Sequence, residues 1–198
     1  MNTEKIHALA SEVEQKVIEF RHEFHAHPEL SWKEEETSKK IESVLIDLGY
    51  ENIRRGFYGT GSGVIADITG KEDGPLIAIR ADIDALPLQE AVDDPWKSTC
   101  DGVMHACGHD AHAAVLLGVA HVLAALKEEL PGRVRLVFQP AEEAGVNSGA
   151  PMLIEEGALA GVDAICGLHV WSTLEAGKIG FRSGPMMASA DIWEIEVK

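Results

Sequence analysis

Short runs of β-branched and aliphatic residues alternate with segments of helical periodicity, and this alternation constrains the fold of the chain most strongly. Apolar residues recur at three- and four-residue steps over residues 3–26, which predicts an amphipathic helix that Pro28 ends. Helices are also predicted over 34–48, 111–126 and 150–156. Apolar runs predict strands over 53–58, 63–69, 75–83, 133–138 and 164–170. Strands that alternate with helices indicate an α/β layered fold with a mostly parallel central sheet.

Composition and charge are those of an ordinary globular protein. The chain has 198 residues, of which 45% are hydrophobic and 25% charged, so it can bury one sizeable core. Its formal net charge is −16, and it has no basic stripe that could neutralise phosphates. We therefore expect no nucleic-acid partner, and we interpret the excess of acidic residues as a solvated surface.

The cysteines and the N-terminal sequence predict a cytoplasmic protein that does not enter a membrane. Cys100, Cys107 and Cys166 are odd in number and lack a disulfide-like spacing. The N-terminus opens a polar amphipathic segment rather than a signal peptide, and no apolar run is long enough to span a bilayer. In a reducing compartment the thiols would stay free to bind a metal ion.

Cys107 and His109 are two residues apart, just before the strongly apolar predicted helix. A thiolate is a soft ligand and imidazole a borderline one, so the pair favours zinc or a neighbouring divalent metal over magnesium or calcium. Gly108 between them permits the tight backbone path that turns both side chains toward one point. A buried cysteine beside a turn histidine explains the pair equally well.

Carboxylates and a further histidine follow the predicted strands, where ligands gather in sheets of this kind. Glu142 and Glu143 come after an apolar strand, and adjacent residues at a strand end point in opposite directions. One of them could bind a metal ion while the other takes a proton from a water at that ion. The alternative is a solvated pair, which the preceding apolar strand makes less attractive.

His169, Asp82 and Asp84 lie at the same predicted edge of the sheet. His169 has apolar neighbours and suits either a hydrogen-bonded core position or a metal ligand. The two aspartates share one strand face, so one of them could orient a ligating imidazole. An ion pair with Arg80 is the competing interpretation of Asp82.

Three other features receive structural interpretations. The glycine-rich segment 59–63 precedes a strand instead of opening a helix, which indicates a hairpin turn rather than a phosphate-binding loop. His112 and His121 lie on the buried helix, and we interpret both as structural residues.

Four motifs occur in a fixed order along the chain: RADIDALPL at 80–88, MHACGHD at 104–110, FQPAEE at 138–143 and GLHV at 167–170. Together they closely resemble those of the metal-dependent N-acyl-amino-acid amidohydrolases. That family includes hippurate hydrolases and the plant hydrolases of auxin–amino acid conjugates, within the aminoacylase and carboxypeptidase superfamily of dinuclear metallopeptidases. The segment RHEFHAHPELS at 21–31 is also similar to the N-terminal region of this family.

The resemblance implies a three-layer α/β sandwich with a mostly parallel, mixed central sheet and a site for two divalent metal ions. Zinc or manganese is expected, with cobalt and nickel open. Glu142 would be the general base, and Asp84 would match the acid that orients a ligand histidine, although Asp82 replaces the histidine of that motif. The implied metal ligands are Cys107, His109, Glu143 and His169.

The chains of this family are considerably longer and carry an inserted lid domain that often forms a dimer. The resemblance therefore implies that residues 1–185 are the N-terminal part of the catalytic domain. Residues 186–198 would begin a truncated lid, and the full-length form would be a homodimer through that lid. In this region the pattern predicts two strands, over 177–181 and 190–197. A final metal-binding histidine and a lid histidine of the family have no counterpart in these 198 residues.

The function implied by the resemblance is hydrolysis of the amide bond of small N-acyl amino acids. Two alternatives remain open. A metallo-carboxypeptidase or dipeptidase would use the same ligand chemistry, and a fragment could bind metal without turning over a substrate.

Overall fold

A computed structural model describes residues 2–187 and 195–197. The helices are α1 (Thr3–Ala26), α2 (Glu35–Asp47), α3 (His109–Ala125) and α4 (Gly149–Glu155), with two 3-10 turns at Lys127–Glu129 and Glu142–Asn147. The strands are β1 (Glu51–Arg55), β2 (Val64–Thr69), β3 (Glu72–Asp82), β4 (Pro131–Gln139) and β5 (Ala164–Gly167). In the described part of the chain, no helix is both long and apolar enough to cross a membrane.

The five strands form one sheet in the order β1-β2-β4-β3-β5. Strands β3, β4 and β5 are parallel, whereas β2 is antiparallel to both of its neighbours. Four of these five strands therefore run in the same direction, which confirms the expected mixed, mostly parallel sheet. The segment 59–63 forms the turn between β1 and β2, as the sequence predicts.

Helices cover both faces of the sheet, because each face carries apolar side chains that need a cover. On one face α1, α2 and α3 pack on the strands, and Leu117 and Phe138 are fully buried there. On the other face α4 and the turn after it contribute Leu153 and Ala158, which pack on Val137. The result is the three-layer α/β sandwich that the family resemblance implies.

The carboxyl ends of three neighbouring strands define one edge of the sheet. Asp82 is opposite Gln139 in the β3–β4 ladder, and Arg80 is opposite Gly167 in the β3–β5 ladder. The segments that follow β3, β4 and β5 therefore emerge side by side, and α3 begins at the same edge.

The predicted elements up to residue 167 are present, with ends that differ by a few residues. The predicted strand over 164–170 stops at Gly167. The prediction of a strand over 177–181 is wrong: among the described residues this segment pairs with no other strand. Ile179 and Phe181 are more than three-quarters exposed, and a strand without a neighbour has no ladder to stabilise it. The strand predicted over 190–197 lies mostly outside the described residues, so it and the division at 185/186 stay predictions.

Candidate metal centre

The structure brings together all the side chains that the sequence nominates for the site. One ligand atom each from Cys107, His109 and His169 lie within 4.8 Å of one another. The same holds for His109, Glu142 and Glu143, so His109 belongs to both groups. The Cys107 Sγ and His169 Nε2 atoms are 3.5 Å apart. The Nε2 atom of His109 is 3.8 Å from a carboxylate oxygen of Glu142 and 3.8 Å from one of Glu143.

Gly108 makes the close approach of these groups possible. It precedes α3 with a φ of 89°, a conformation that side chains other than hydrogen disfavour. A Cβ atom at this position would lie 2.2 Å from the Val170 Cγ2 atom. The loop that carries His169 can therefore pack against the start of α3 only because residue 108 is glycine.

His109 is oriented by the backbone and side chain of Asp84. Its Nδ1 atom is 2.9 Å from the Asp84 carbonyl oxygen and 3.2 Å from the Asp84 Oδ1 atom. Both partners are acceptors, so Nδ1 is the donor, and in the neutral ring Nε2 keeps its lone pair. An imidazole held by a carboxylate in this way is the usual arrangement of a metal-bound histidine.

The Asp84 carboxylate connects three parts of the site. It also accepts hydrogen bonds from the Ser31 hydroxyl at 2.7 Å and from the backbone N–H of Glu143 at 2.9 Å. Burial alone would raise the pKa of Asp84, but the bonds from His109, Ser31 and the Glu143 backbone together lower it. Asp84 is therefore an anion that fixes both the His109 ring and the backbone of a neighbouring carboxylate residue.

Glu142 and Glu143 begin a 3-10 turn that two residues separate from the end of β4. Ala141 before them has a left-handed conformation, with a φ of 51°, which redirects the chain. The expectation that the two side chains point in opposite directions therefore does not hold, because they are no longer in a strand. Both carboxylates face His109, and the Glu142 side chain is 42% exposed against 23% for Glu143.

The electrostatics of the cluster favour a bound cation. Burial and the carboxylates of Glu143, Glu142 and Asp82 raise the pKa of the Cys107 thiol to about 12. Burial, Glu143 and Asp82 likewise raise the pKa of Glu142. A divalent ion reverses this effect, since a coordinating thiol is deprotonated outright.

Two buried atoms support the fit of a metal ion. Within residues 2–187 and 195–197, His109 Nε2 and Glu143 Oε1 have no hydrogen-bond partner. Buried polar atoms without partners are rare. Here one is a ring nitrogen with a free lone pair and the other is a carboxylate oxygen, and the two atoms are 3.8 Å apart. Together with the thiol of Cys107 and the imidazole of His169, they form a donor set that suits zinc or a neighbouring divalent metal.

His112 lies within the same cluster, but its ring nitrogens are already paired. Its Nε2 atom accepts from the Val170 backbone N–H at 2.9 Å, and its Nδ1 atom donates to Asp82 at 2.5 Å. This agrees with the structural interpretation of His112. Asp82 also forms an ion pair with Arg80 at 2.8 Å, as its competing interpretation predicts. Although burial opposes it, the bond from His112 and the charges of His109 and Arg80 lower the pKa of Asp82 to about 2.

Sequence reasoning did not single out the supporting residues Ser31 and Glu34, nor the link from His112 to the loop that carries His169. A signal existed for His112, since it lies three residues after His109 and so on the same helix face. Ser31 ends the N-terminal family segment, and Glu34 follows it closely.

Comparisons with known proteins agree with the motif resemblance. The fold and the site define an α/β protein whose sheet edge gathers donors for metal ions. Residues 78–198 match the profile of peptidase family M20/M25/M40, and the chain belongs to this family.

Similar proteins include two named relatives and one solved structure. The chain is 50% identical over 183 residues to N-acetylcysteine deacetylase from Bacillus subtilis (strain 168), which covers 92% of this chain and 47% of that protein. It is 44% identical over 194 residues to thermostable carboxypeptidase 2 from Saccharolobus solfataricus, covering 98% of this chain and 49% of that protein. The crystal structure of the Bacillus subtilis YxeP protein, a dinuclear metal-binding peptidase of the M20 family, is 48% identical with a TM-score of 0.80. That match covers 90% of this chain and 47% of YxeP, so the chain spans about half the length of these proteins.

Proposed function

We propose that this chain supplies the metal-binding part of an amidohydrolase that cleaves the amide bond of N-acyl amino acids. The observation that carries the proposal is that His109 lies in one cluster with the Cys107 thiol and the His169 imidazole, and in a second cluster with the Glu142 and Glu143 carboxylates. The substrate class is supported by the similarity to N-acetylcysteine deacetylase, whose substrate is an acylated amino acid.

Cys107, His109, Glu143 and His169 would hold the metal. The similarity to a dinuclear M20 peptidase supports two ions, and the mixed donors favour zinc, with manganese, cobalt and nickel compatible. When bound, such ions supply Lewis acidity toward the scissile carbonyl and toward an attacking water.

Glu142 is the proposed general base. Its carboxylate is adjacent to the donor cluster, and it is exposed enough to meet a substrate. A raised pKa suits a group that takes a proton from water and then returns it to the departing amine. Asp84 acts through other residues, since it orients the His109 ring and holds the Glu143 backbone.

The test replaces Glu142 by alanine in the natural protein that carries this chain. We expect hydrolysis of N-acetyl amino acids to fall by about 10²–10⁴-fold while the metal content is unchanged, because a proton shuttle is lost and the ligands remain. Glu128→Ala, at an exposed glutamate of the turn before β4, is the matched control and should leave turnover intact. Near-normal turnover of the Glu142 variant would contradict the assignment.

A carboxypeptidase is the second candidate, because the chain is 44% identical to a protein of that name. The same natural protein, assayed on N-acetyl amino acids, N-benzoyl amino acids and free dipeptides, separates the candidates. Equal or faster turnover of free dipeptides would favour the carboxypeptidase.

A further inference from the structure

A buried carboxylate lies beneath the turn that carries Glu142 and Glu143. Glu34, the residue before α2, has a fully buried side chain. Its Oε1 atom accepts a hydrogen bond from the backbone N–H of Ala141 at 2.7 Å, across 107 residues of sequence. The contact therefore joins the start of α2 directly to the backbone that precedes the two glutamates.

Ala141 needs such a contact because its conformation is unusual. Its φ and ψ of 51° and 45° are left-handed, and a residue with a Cβ atom keeps this conformation only when its surroundings enforce it. The Ala141 carbonyl accepts a hydrogen bond from the Gly149 N–H at 3.0 Å. A Cβ atom on Gly149 would lie 2.1 Å from the Pro140 carbonyl oxygen, so α4 presses closely on this segment.

The loop between β1 and β2 closes the other side of the segment. A Cβ atom on Gly63 would lie 2.8 Å from the Pro140 ring, and the Gly63 N–H donates to the Ser38 hydroxyl at 2.9 Å. Ser38 is one turn after Glu34, and it is also fully buried. Glu34 and Ser38 thus each satisfy one buried backbone N–H, but in two different segments.

The turn is held at two points on either side of Glu142. Glu34 binds the backbone of Ala141, and Asp84 binds the backbone of Glu143. We propose that Glu34 is a positioning residue, whose carboxyl group fixes the left-handed Ala141 and thereby directs the two glutamates toward His109. This inference rests on the proposed function, because the direction of the glutamates matters only if they act at a metal centre.

The local test uses amide hydrogen exchange in the metal-free form of the natural protein that carries this chain. Glu34→Ala removes the acceptor, and Glu34→Asp withdraws it by one methylene. Glu34→Gln keeps an oxygen that can accept from Ala141. We expect the Ala141 amide to exchange at least about 10-fold faster in the Ala and Asp variants and to stay within about 3-fold of wild type in the Gln variant.

Ser38→Ala is the matched control, because it removes a buried acceptor four residues after Glu34 without touching Ala141. It should accelerate exchange at Gly63 and leave Ala141 unchanged. Equal acceleration at Ala141 in the Ser38 variant, or no acceleration in the Glu34→Asp variant, would overturn the positioning role. The Asp variant carries the test if the Ala variant does not fold.

A cobalt titration of the same variants connects the turn to the metal centre. We expect Glu34→Ala and Glu34→Asp to bind Co²⁺ about 10-fold or more weakly, with Glu34→Gln and Ser38→Ala close to wild type. Unchanged Co²⁺ affinity in Glu34→Asp would overturn the link from Glu34 to the metal centre. If Glu143→Ala also leaves the affinity unchanged while exchange at Ala141 behaves as expected, the proposed function fails and the positioning of the turn stands.

Discussion

His112 Nε2 accepts a hydrogen bond from the backbone N–H of Val170 at 2.9 Å, next to His169. The bond fixes the tautomer of His112, because a backbone N–H can only donate. It also ties the loop after β5 to the first turn of α3. A histidine that is paired in this way cannot offer a nitrogen to a metal ion, but it can hold the neighbouring candidate ligand His169 in place.

Replacing His112 tests this role. His112→Phe removes the acceptor for Val170, so His169 should lose its fixed orientation and Co²⁺ should bind about 10-fold more weakly. His121→Phe, on the same helix, is the control, because His121 stacks on Phe20 and has a buried nitrogen without a partner in the described part of the chain. The control should keep its metal affinity. Identical affinities in both variants would show that His112 does not position His169.

The close packing at Gly108 predicts that an added Cβ atom lowers the free energy of unfolding through a steric clash, beyond the effect of backbone strain. Gly108→Ala should destabilise the fold by more than about 1 kcal/mol, since it combines a positive φ with a collision against Val170. Gly102→Ala is the matched variant, because Gly102 also has a positive φ, of 72°, but has open space around its Cβ position. Denaturant unfolding of both measures the difference, and equal destabilisation would argue against the close contact.

Cys107 should give a spectroscopic signature of metal binding. Burial and the neighbouring carboxylates raise the pKa of its thiol to about 12, so an incoming cation must displace the proton. We expect Co²⁺ to produce a thiolate charge-transfer band that Cys107→Ser abolishes, together with about one proton released per chain near neutral pH. Cys100→Ser and Cys166→Ser should keep the band, and its survival in the Cys107 variant would remove Cys107 from the ligand set.

Glu34 makes the stability of the fold depend on pH. Burial, aided by the charge of Asp84 and opposed by the hydrogen bond from the Ala141 backbone N–H, raises the pKa of Glu34 from 4.5 to about 7. Folding therefore favours the protonated form. The contribution of Glu34 is fully present below about pH 4.5 and is lost as the pH rises through about 7.

Glu34→Gln isolates that contribution, because all other carboxylates contribute equally to the pH dependence of stability in the variant and in the wild type. Relative to wild type, the variant should gain up to about 3 kcal/mol in its free energy of unfolding between about pH 4 and pH 8. Denaturant unfolding across this range is the measurement. A difference between the two proteins that does not change with pH would mean that Glu34 titrates normally in the folded state.

Periodicity predicts the layers of this fold because the pattern of each element is local. The edge of the sheet that carries the site follows as well, since Asp84, Glu142 and His169 each come directly after an apolar strand. The prediction over 177–181 fails for a related reason. Alternation describes a strand that has a partner, and the described residues provide none for this segment.

The supporting contacts lie beyond such reasoning because they join distant segments through backbone groups. The sequence near Ala141 does not predict a left-handed residue. The sequence near Glu34 does not indicate that its carboxylate accepts from a backbone N–H 107 residues away. The pairing of His112 also depends on the backbone N–H of Val170, a group that nearly every residue has and that the sequence therefore does not distinguish. Local patterns therefore nominate the candidate site residues, whereas the tertiary fold decides how they are held.

Helix α3 begins among the candidate ligands and continues into the hydrophobic core, and more than half of its residues are buried. The scaffold beneath the donors is thus stabilised by hydrophobic contacts that do not depend on a bound metal ion. A chelator should strip the centre without melting the domain, and the emptied protein should reload without having to fold again. The repulsion among its crowded acids would then be relieved each time a cation returns.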